Sequence, residues 1–154
     1  ADRFLDSAED CFHASVHPVK SFSDPRASAA SLAGTLCSIE GDQAASDLLA
    51  PIFTSIGAKI FAVESASKAS YHAAMVFAAN YSVALHEMAM QAMQQAEIDE
   101  SIARQLVLQL MQGTVDNLQR HHNLEKVLTG PLARGDVATI AVHLGTLPED
   151  LQQQ

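Results

Sequence analysis

The side chains best suited to moving or holding a proton in this sequence are His17, followed by Pro18, the pair Tyr71-His72, and Asn80. Imidazole titrates with a reference pKa of about 6.5, so His17 and His72 can give or take a proton near neutral pH. A phenol such as Tyr71 can donate a hydrogen bond to a substrate oxygen, and the amide of Asn80 can hold a substrate oxygen or a carboxamide. His72 and Asn80 stand eight positions apart in a helical pattern, which turns them by ~80° about the axis, so both can line one broad cleft. The competing account is structural: His17 would serve a rigid His-Pro turn, and the polar residues of the helix would satisfy one another.

Arg134 stands in Thr129-Gly130-Pro131-Leu132-Ala133-Arg134-Gly135-Asp136. Local geometry explains its neighbours: Gly130 as a left-handed helix end, Pro131 as the stop, Gly135 as a turn and Asp136 as the next N-cap. The arginine has no such reason, and its planar fork suits a carboxylate or phosphate on a substrate, or an acid in a structural ion pair.

Other signals stop short of a motif. His86-Glu87 opens a zincin pattern, but Met90 stands where the second histidine is required. The pairs His13/His17 and His121/His122 have no third ligand, so no metal is expected. Gly130 to Gly135 lacks the Lys-Ser/Thr of a phosphate loop, and no serine sits in a Gly-x-Ser-x-Gly elbow.

The elements that must position these residues follow from periodicity. A helix is expected over Asp2–Glu9 and a strand over residues 13–17. A second strand is expected over 35–39, closed by Gly41. Asp42 is the N-cap of a helix from Gln43, Gly57 ends that helix, and Lys59–Val63 forms a third strand. A strand, helix, strand unit of this length fits a parallel crossover, which puts His17 at the carboxyl end of a strand expected to be parallel, where open α/β sheets bind ligands. From Ser67 the period is helical throughout. Between Ala69 and Ala96 the single charged residue is Glu87, so the helix must be buried on most sides. About 28 residues make a rod on the order of 40 Å, and a second subunit is its natural cover, giving a homodimer through helix 68–97. Asp99 caps a helix to about Arg120, Asn123–Thr129 forms a short one, and Asp136 caps the last. The fold class is therefore an α/β remnant of a Rossmann fold over residues 1–66, then an all-α domain over 67–154.

The chain has 154 residues and a formal net charge of -9. Such acidity argues against a nucleic-acid partner, which needs a basic footprint. No stretch is apolar enough for a membrane span. Cys11 and Cys37 lack metal-ligand spacing and read as thiols of a reducing cytoplasm. Ala1 directly adjoins the expected first helix, as though the chain were cut from something longer.

Three segments together carry a family resemblance: His17-Pro18-Val19-Lys20-Ser21-Phe22; Tyr71-His72-Ala73-Ala74 with Asn80; and Leu128 to Asp136 with Thr139 and His143. From about Cys11 to Leu147 the chain resembles Rossmann-like proteins carrying the domain of unknown function 2520. Those proteins are similar to deazaflavin-dependent NADP reductases, pyrroline-5-carboxylate reductase, ketopantoate reductase and the 6-phosphogluconate dehydrogenase group, whose C-terminal domain is a helical bundle. The resemblance implies the back half of an NAD(P)-dependent oxidoreductase acting on a small carbonyl, imine or hydroxyacid. Its implied catalytic residues are His17, His72 and Asn80, and its substrate contacts are Tyr71, Ser21 and Arg134. His17, Pro18 and Asn80 would meet the cofactor, NADP or NAD. Two departures stand against the family pattern. No three glycines have the G-x-G-x-x-G spacing, so this chain alone should bind a dinucleotide poorly. Val76 also stands where hydroxyacid dehydrogenases place a catalytic lysine, four residues before the helical asparagine. The alternative function is a non-enzymatic dimerisation or ligand-sensing module on the same fold.

Overall fold

The computed structural model describes residues 11–22, 24, 26 and 31–152, and the helix expected over Asp2–Glu9 lies outside them. The chain divides into two compact units, residues 1–80 and 81–154.

The first unit is built on a three-stranded sheet in the order β1-β2-β3, with β1 at Ala14–Pro18, β2 at Leu36–Gly41 and β3 at Lys59–Ala62. Alternation along β2 sorts its side chains by face. Cys37 and Ile39 are buried on one side, and α1, Gln43–Ser55, packs against all three strands. Burial pushes the Cys37 thiol above its ordinary pKa, the mark of an inert core cysteine. β2, α1 and β3 form the expected parallel crossover, with Cys37 opposite Ile60 and Ile39 opposite Ala62. Gly57 ends the helical segment in the left-handed region, at φ +86°.

Two expectations need correction here. β1 runs antiparallel to β2, pairing Ala14 with Gly41 and Pro18 with Cys37. His17 therefore lies at the amino-terminal end of the parallel pair β2–β3, not at the carboxyl end of a strand parallel to them. Period-2 patterning locates a strand but carries no information on its direction. The close approach at Gly41 secures the arrangement: its φ is +123°, and a Cβ there would lie 2.2 Å from the His13 carbonyl oxygen. Asp42 holds the expected N-cap position of α1, but its side chain makes no bond to that helix. Its carboxylate accepts from the His13 backbone N–H at 2.7 Å, while its own N–H donates to the His13 carbonyl at 2.6 Å. The β-strand neighbour wins the side chain because it presents a donor on the sheet side of the turn.

Helix α2, Lys68–Val76, follows a short 3₁₀ turn at Ser65–Ser67. The long helix is not regular throughout: a π-helical turn, Phe77–Tyr81, separates α2 from α3 at Ser82–Gln95. Such wider turns recur at functional sites, and this one holds Asn80, so the angular offset from His72 departs from that of a regular α-helix. The sequence period changes near residue 66, whereas compactness divides the chain after Asn80, because α2 packs on the sheet.

In the second unit α3 and α4, Glu100–Arg120, pack side by side as a helical hairpin. Its turn closes with Ile98 N–H donating to the Met93 carbonyl at 3.2 Å, and Glu97 N–H to Gln94 at 3.0 Å. Asp99 caps α4 through the Ser101 and Ile102 N–H groups, as expected. Asp136 caps α6, Val137–Thr146, through Thr139. Between them the expected Asn123–Thr129 helix shrinks to a 3₁₀ turn at Leu124–Lys126. Gly130 has the expected left-handed backbone, at φ +73°, but it and Pro131 open α5, Gly130–Arg134, and Gly135 ends that helix at φ +63°. Proline is compatible with both duties, and its missing N–H costs nothing in a first turn. A last turn, α7, spans Glu149–Gln152. Among the described residues no helix is long and apolar enough to cross a membrane.

Candidate functional site

The sheet face opposite α1 is polar. β1 sets Ser15 opposite Glu40 and His17 opposite Ser38. Directly paired residues share a face, so all four project to one side, joined by Phe61, the β3 partner of Ser38. Helix α2 lies over this face, and Lys68, Tyr71 and His72 enclose with Ser15, His17, Ser38, Glu40 and Val63 a cavity of about 240 Å³.

Tyr71 is held by two edge-on ring contacts, to His17 at 6.5 Å between centroids and to Phe61 at 6.0 Å. Its hydroxyl is buried and has no hydrogen-bond partner. Burying an unpaired hydroxyl costs free energy, so a group left in this state is a waiting donor and acceptor. Across the cavity the Lys68 ammonium and the Glu40 carboxylate form an ion pair, the single one among the described residues. Glu40 is only 14% exposed and Lys68 45%, so the pair is partly screened by solvent. Their charges compensate, leaving neutral groups to meet a ligand.

A second, more open groove of about 400 Å³ adjoins the first along His17 and His72 and extends past Ser21 to Asn80. The structure thus brings together His17, Tyr71 and His72 in one cavity and His17, Ser21, His72 and Asn80 in the other. Pro18 orients the end of β1 but lines neither cavity. Arg134 stands at the exposed end of α5 in the second unit and lines none of the cavities described. Lys20, beside Ser21, donates to the Ser31 carbonyl at 3.1 Å and to the Ser31 hydroxyl.

Sequence reasoning missed Ser15, Ser38, Glu40 and Lys68. The signal was present in the alternation Cys37-Ser38-Ile39-Glu40, which gives β2 one apolar and one polar face. Lys68 stands three residues before Tyr71 and hence on the same side of the helix.

The residues present do not fit the phosphates of a dinucleotide. A pyrophosphate needs backbone N–H groups at a glycine-rich helix N-terminus. The β2–α1 turn offers Glu40-Gly41-Asp42, where Gly41 is already in contact with His13 and the two flanking groups are carboxylates. The cavity at the carboxyl ends of β2 and β3, about 290 Å³, is lined by Glu40, Asp47 and Glu64, a wall that repels phosphate.

Residues 35–154 match the family described as Domain of unknown function (DUF2520). Among solved structures, protein TM1727 from Thermotoga maritima is similar at 31% identity with a TM-score of 0.70, over 84% of this chain and 51% of that one. A structure from Bacteroides fragilis named "putative NADP oxidoreductase BF3122" is similar at 19% identity with a TM-score of 0.75, over 96% and 54% of the two chains. The chain thus spans about half the length of the solved structures it matches. No curated protein matches it.

Proposed function

The chain belongs to the DUF2520 family, and from that premise we propose that it is the C-terminal portion of an NAD(P)-dependent oxidoreductase. Its substrate is a small carbonyl, imine or hydroxyacid, and the chain supplies part of the substrate cleft. The observation that carries this reading is the cavity that gathers His17, Tyr71 and His72, with the unpartnered Tyr71 hydroxyl buried in its wall. The similarity in fold to the Bacteroides fragilis structure supports the reaction class.

In this reading the Tyr71 hydroxyl donates a hydrogen bond to the substrate oxygen or nitrogen, and its two ring contacts keep it aimed. His17 exchanges the proton that accompanies the redox step, since it is exposed on the side shared by both cavities. Asn80 and Ser21 hold the far end of the ligand in the open groove. Pro18, with His17 and Asn80, would meet the cofactor when it is bound. Arg134 binds a substrate carboxylate or pairs with an acid. NADP or NAD supplies the hydride chemistry when bound; this chain by itself holds neither.

The reading includes a homodimer through helix 68–97. Phe77, Tyr81, Val83 and Leu85 are each more than half exposed along that helix, and Ile102 and Leu110 on α4 likewise. Apolar area of this extent on helices of one chain calls for a cover.

Calorimetry tests the proposal. The longer protein that carries this chain should bind NADPH or NADH, and the isolated chain neither. Failure of the longer protein to bind either at millimolar concentration leaves a dimerisation or sensing module and ends the enzyme reading.

A further inference from the structure

On the polar sheet face Ser15 pairs with Glu40 and Ser38 with His17. The two serines are therefore diagonal neighbours, about 7–8 Å apart in an antiparallel pair. Ser38 is 6% exposed, and it lines the cavity of about 240 Å³ together with Ser15. Neither serine side chain has a hydrogen bond among the described residues, and neither hydroxyl belongs to the buried polar atoms left without a partner. Both are consequently reached from the cavity, and each can donate one hydrogen bond to a ligand and accept others.

The charged groups of the same wall already answer one another. Glu40 receives the Lys68 ammonium through Oε1, and its Oε2 has no hydrogen bond among the described residues. Glu40 is 14% exposed, and drawing a partner away from a carboxylate so far removed from water costs more than it does at a surface. A ligand carboxylate would have to compete with Glu40 for Lys68, and a ligand cation with Lys68 for Glu40. A neutral ligand leaves the pair intact and still finds an acceptor in Glu40 Oε2.

We propose that the substrate taken by this cavity is a neutral aldehyde or ketone with a hydroxyl beside the carbonyl, about three carbons long to bridge the two serines, and neither an imine nor a hydroxyacid. The carbonyl oxygen accepts from the Ser38 hydroxyl, next to His17. The ligand hydroxyl donates to Glu40 Oε2 and accepts from Ser15. Ser15, Ser38 and Glu40 thereby set the specificity of the reaction. This assignment rests on the oxidoreductase reading for the chemistry, whereas the binding it describes needs no cofactor.

Nuclear magnetic resonance titration of this chain without cofactor provides the test, with dihydroxyacetone as the probe and glycerate and acetone as controls. Dihydroxyacetone, raised to tens of millimolar because so small a ligand binds weakly, should shift the His17 ring and Ser38 amide signals saturably. Glycerate and acetone should bind at least about fivefold more weakly, the first for its charge and the second for its missing hydroxyls. Ser38→Ala should weaken dihydroxyacetone about three- to tenfold with the circular dichroism unchanged. Glu40→Gln removes the carboxylate that glycerate would meet, and should narrow the gap between glycerate and dihydroxyacetone. No saturable shift with dihydroxyacetone, equal binding by either control, full binding by Ser38→Ala, or an unchanged gap in Glu40→Gln would each overturn the assignment. Because no cofactor enters the titration, its failure leaves the calorimetry of the longer protein untouched, and a failure of that calorimetry leaves this binding result standing.

Discussion

A buried hydroxyl without a partner lowers stability. Tyr71 is in that position. Tyr71→Phe keeps both ring contacts and removes the unpaired group, so the variant should be more stable by about 1 kcal/mol in urea unfolding. A loss of stability instead would mean that the hydroxyl is bonded within the fold. His17→Asn in the longer protein should lower turnover about a hundredfold or more, the usual worth of a positioned general acid or base. Unchanged turnover would remove His17 from the mechanism. The chemistry-bearing types were legible in the sequence, and local pattern assigned Glu40 and Lys68 to their faces, but it did not show that those faces meet. Their importance comes from meeting across a cavity, and residues far apart in the chain reveal no such meeting through local pattern.

Helix ends supply the predictions at the scale of elements. Glu97 is the one non-glycine residue with positive φ among those described, at 57°, and it occupies the left-handed position after α3 that favours glycine. Glu97→Gly should therefore stabilise the hairpin by about 1 kcal/mol, read as a rise in thermal midpoint. The Asp99 carboxyl is held below its usual pKa by the Ser101 hydroxyl and then by the Ile102 and Ser101 backbone N–H groups. The Asp136 carboxyl is lowered by the Thr139 hydroxyl and N–H, with His143 adding to the effect. A carboxylate whose folded pKa is depressed contributes stability above its unfolded value of about 3.9 and loses it as pH falls through the folded value. Thermal midpoints of Asp99→Ala and Asp136→Ala should consequently lie below wild type at neutral pH and converge on it in acid, as pH falls through the depressed folded values. A gap that persists unchanged into acid would show that the caps act through packing. These two caps were readable from residue type alone. Asp42 also holds its expected N-cap position, but a strand neighbour takes its carboxylate.

For the whole molecule, the exposed apolar residues of the long helix and of α4 lead to an expected dimer in sedimentation at micromolar concentration. A monomer there would contradict the dimer proposal. The acidic wall at the carboxyl ends of β2 and β3 leads to the second expectation at this scale, negligible NADPH affinity for the chain alone.

The sequence by itself determined the three strands, the parallel crossover, two of the helix caps and the family, since these rest on periodicity, cap chemistry and local motifs. Tertiary structure decided the direction of β1, the π-helical turn at Asn80 and the polar sheet face that gathers His17, Ser38, Glu40, Lys68 and Tyr71. Each depends on hydrogen bonds or contacts between segments distant in the chain. The backbone at Gly41 shows why: a close approach to His13 selects glycine and antiparallel pairing together, and neither residue announces the other.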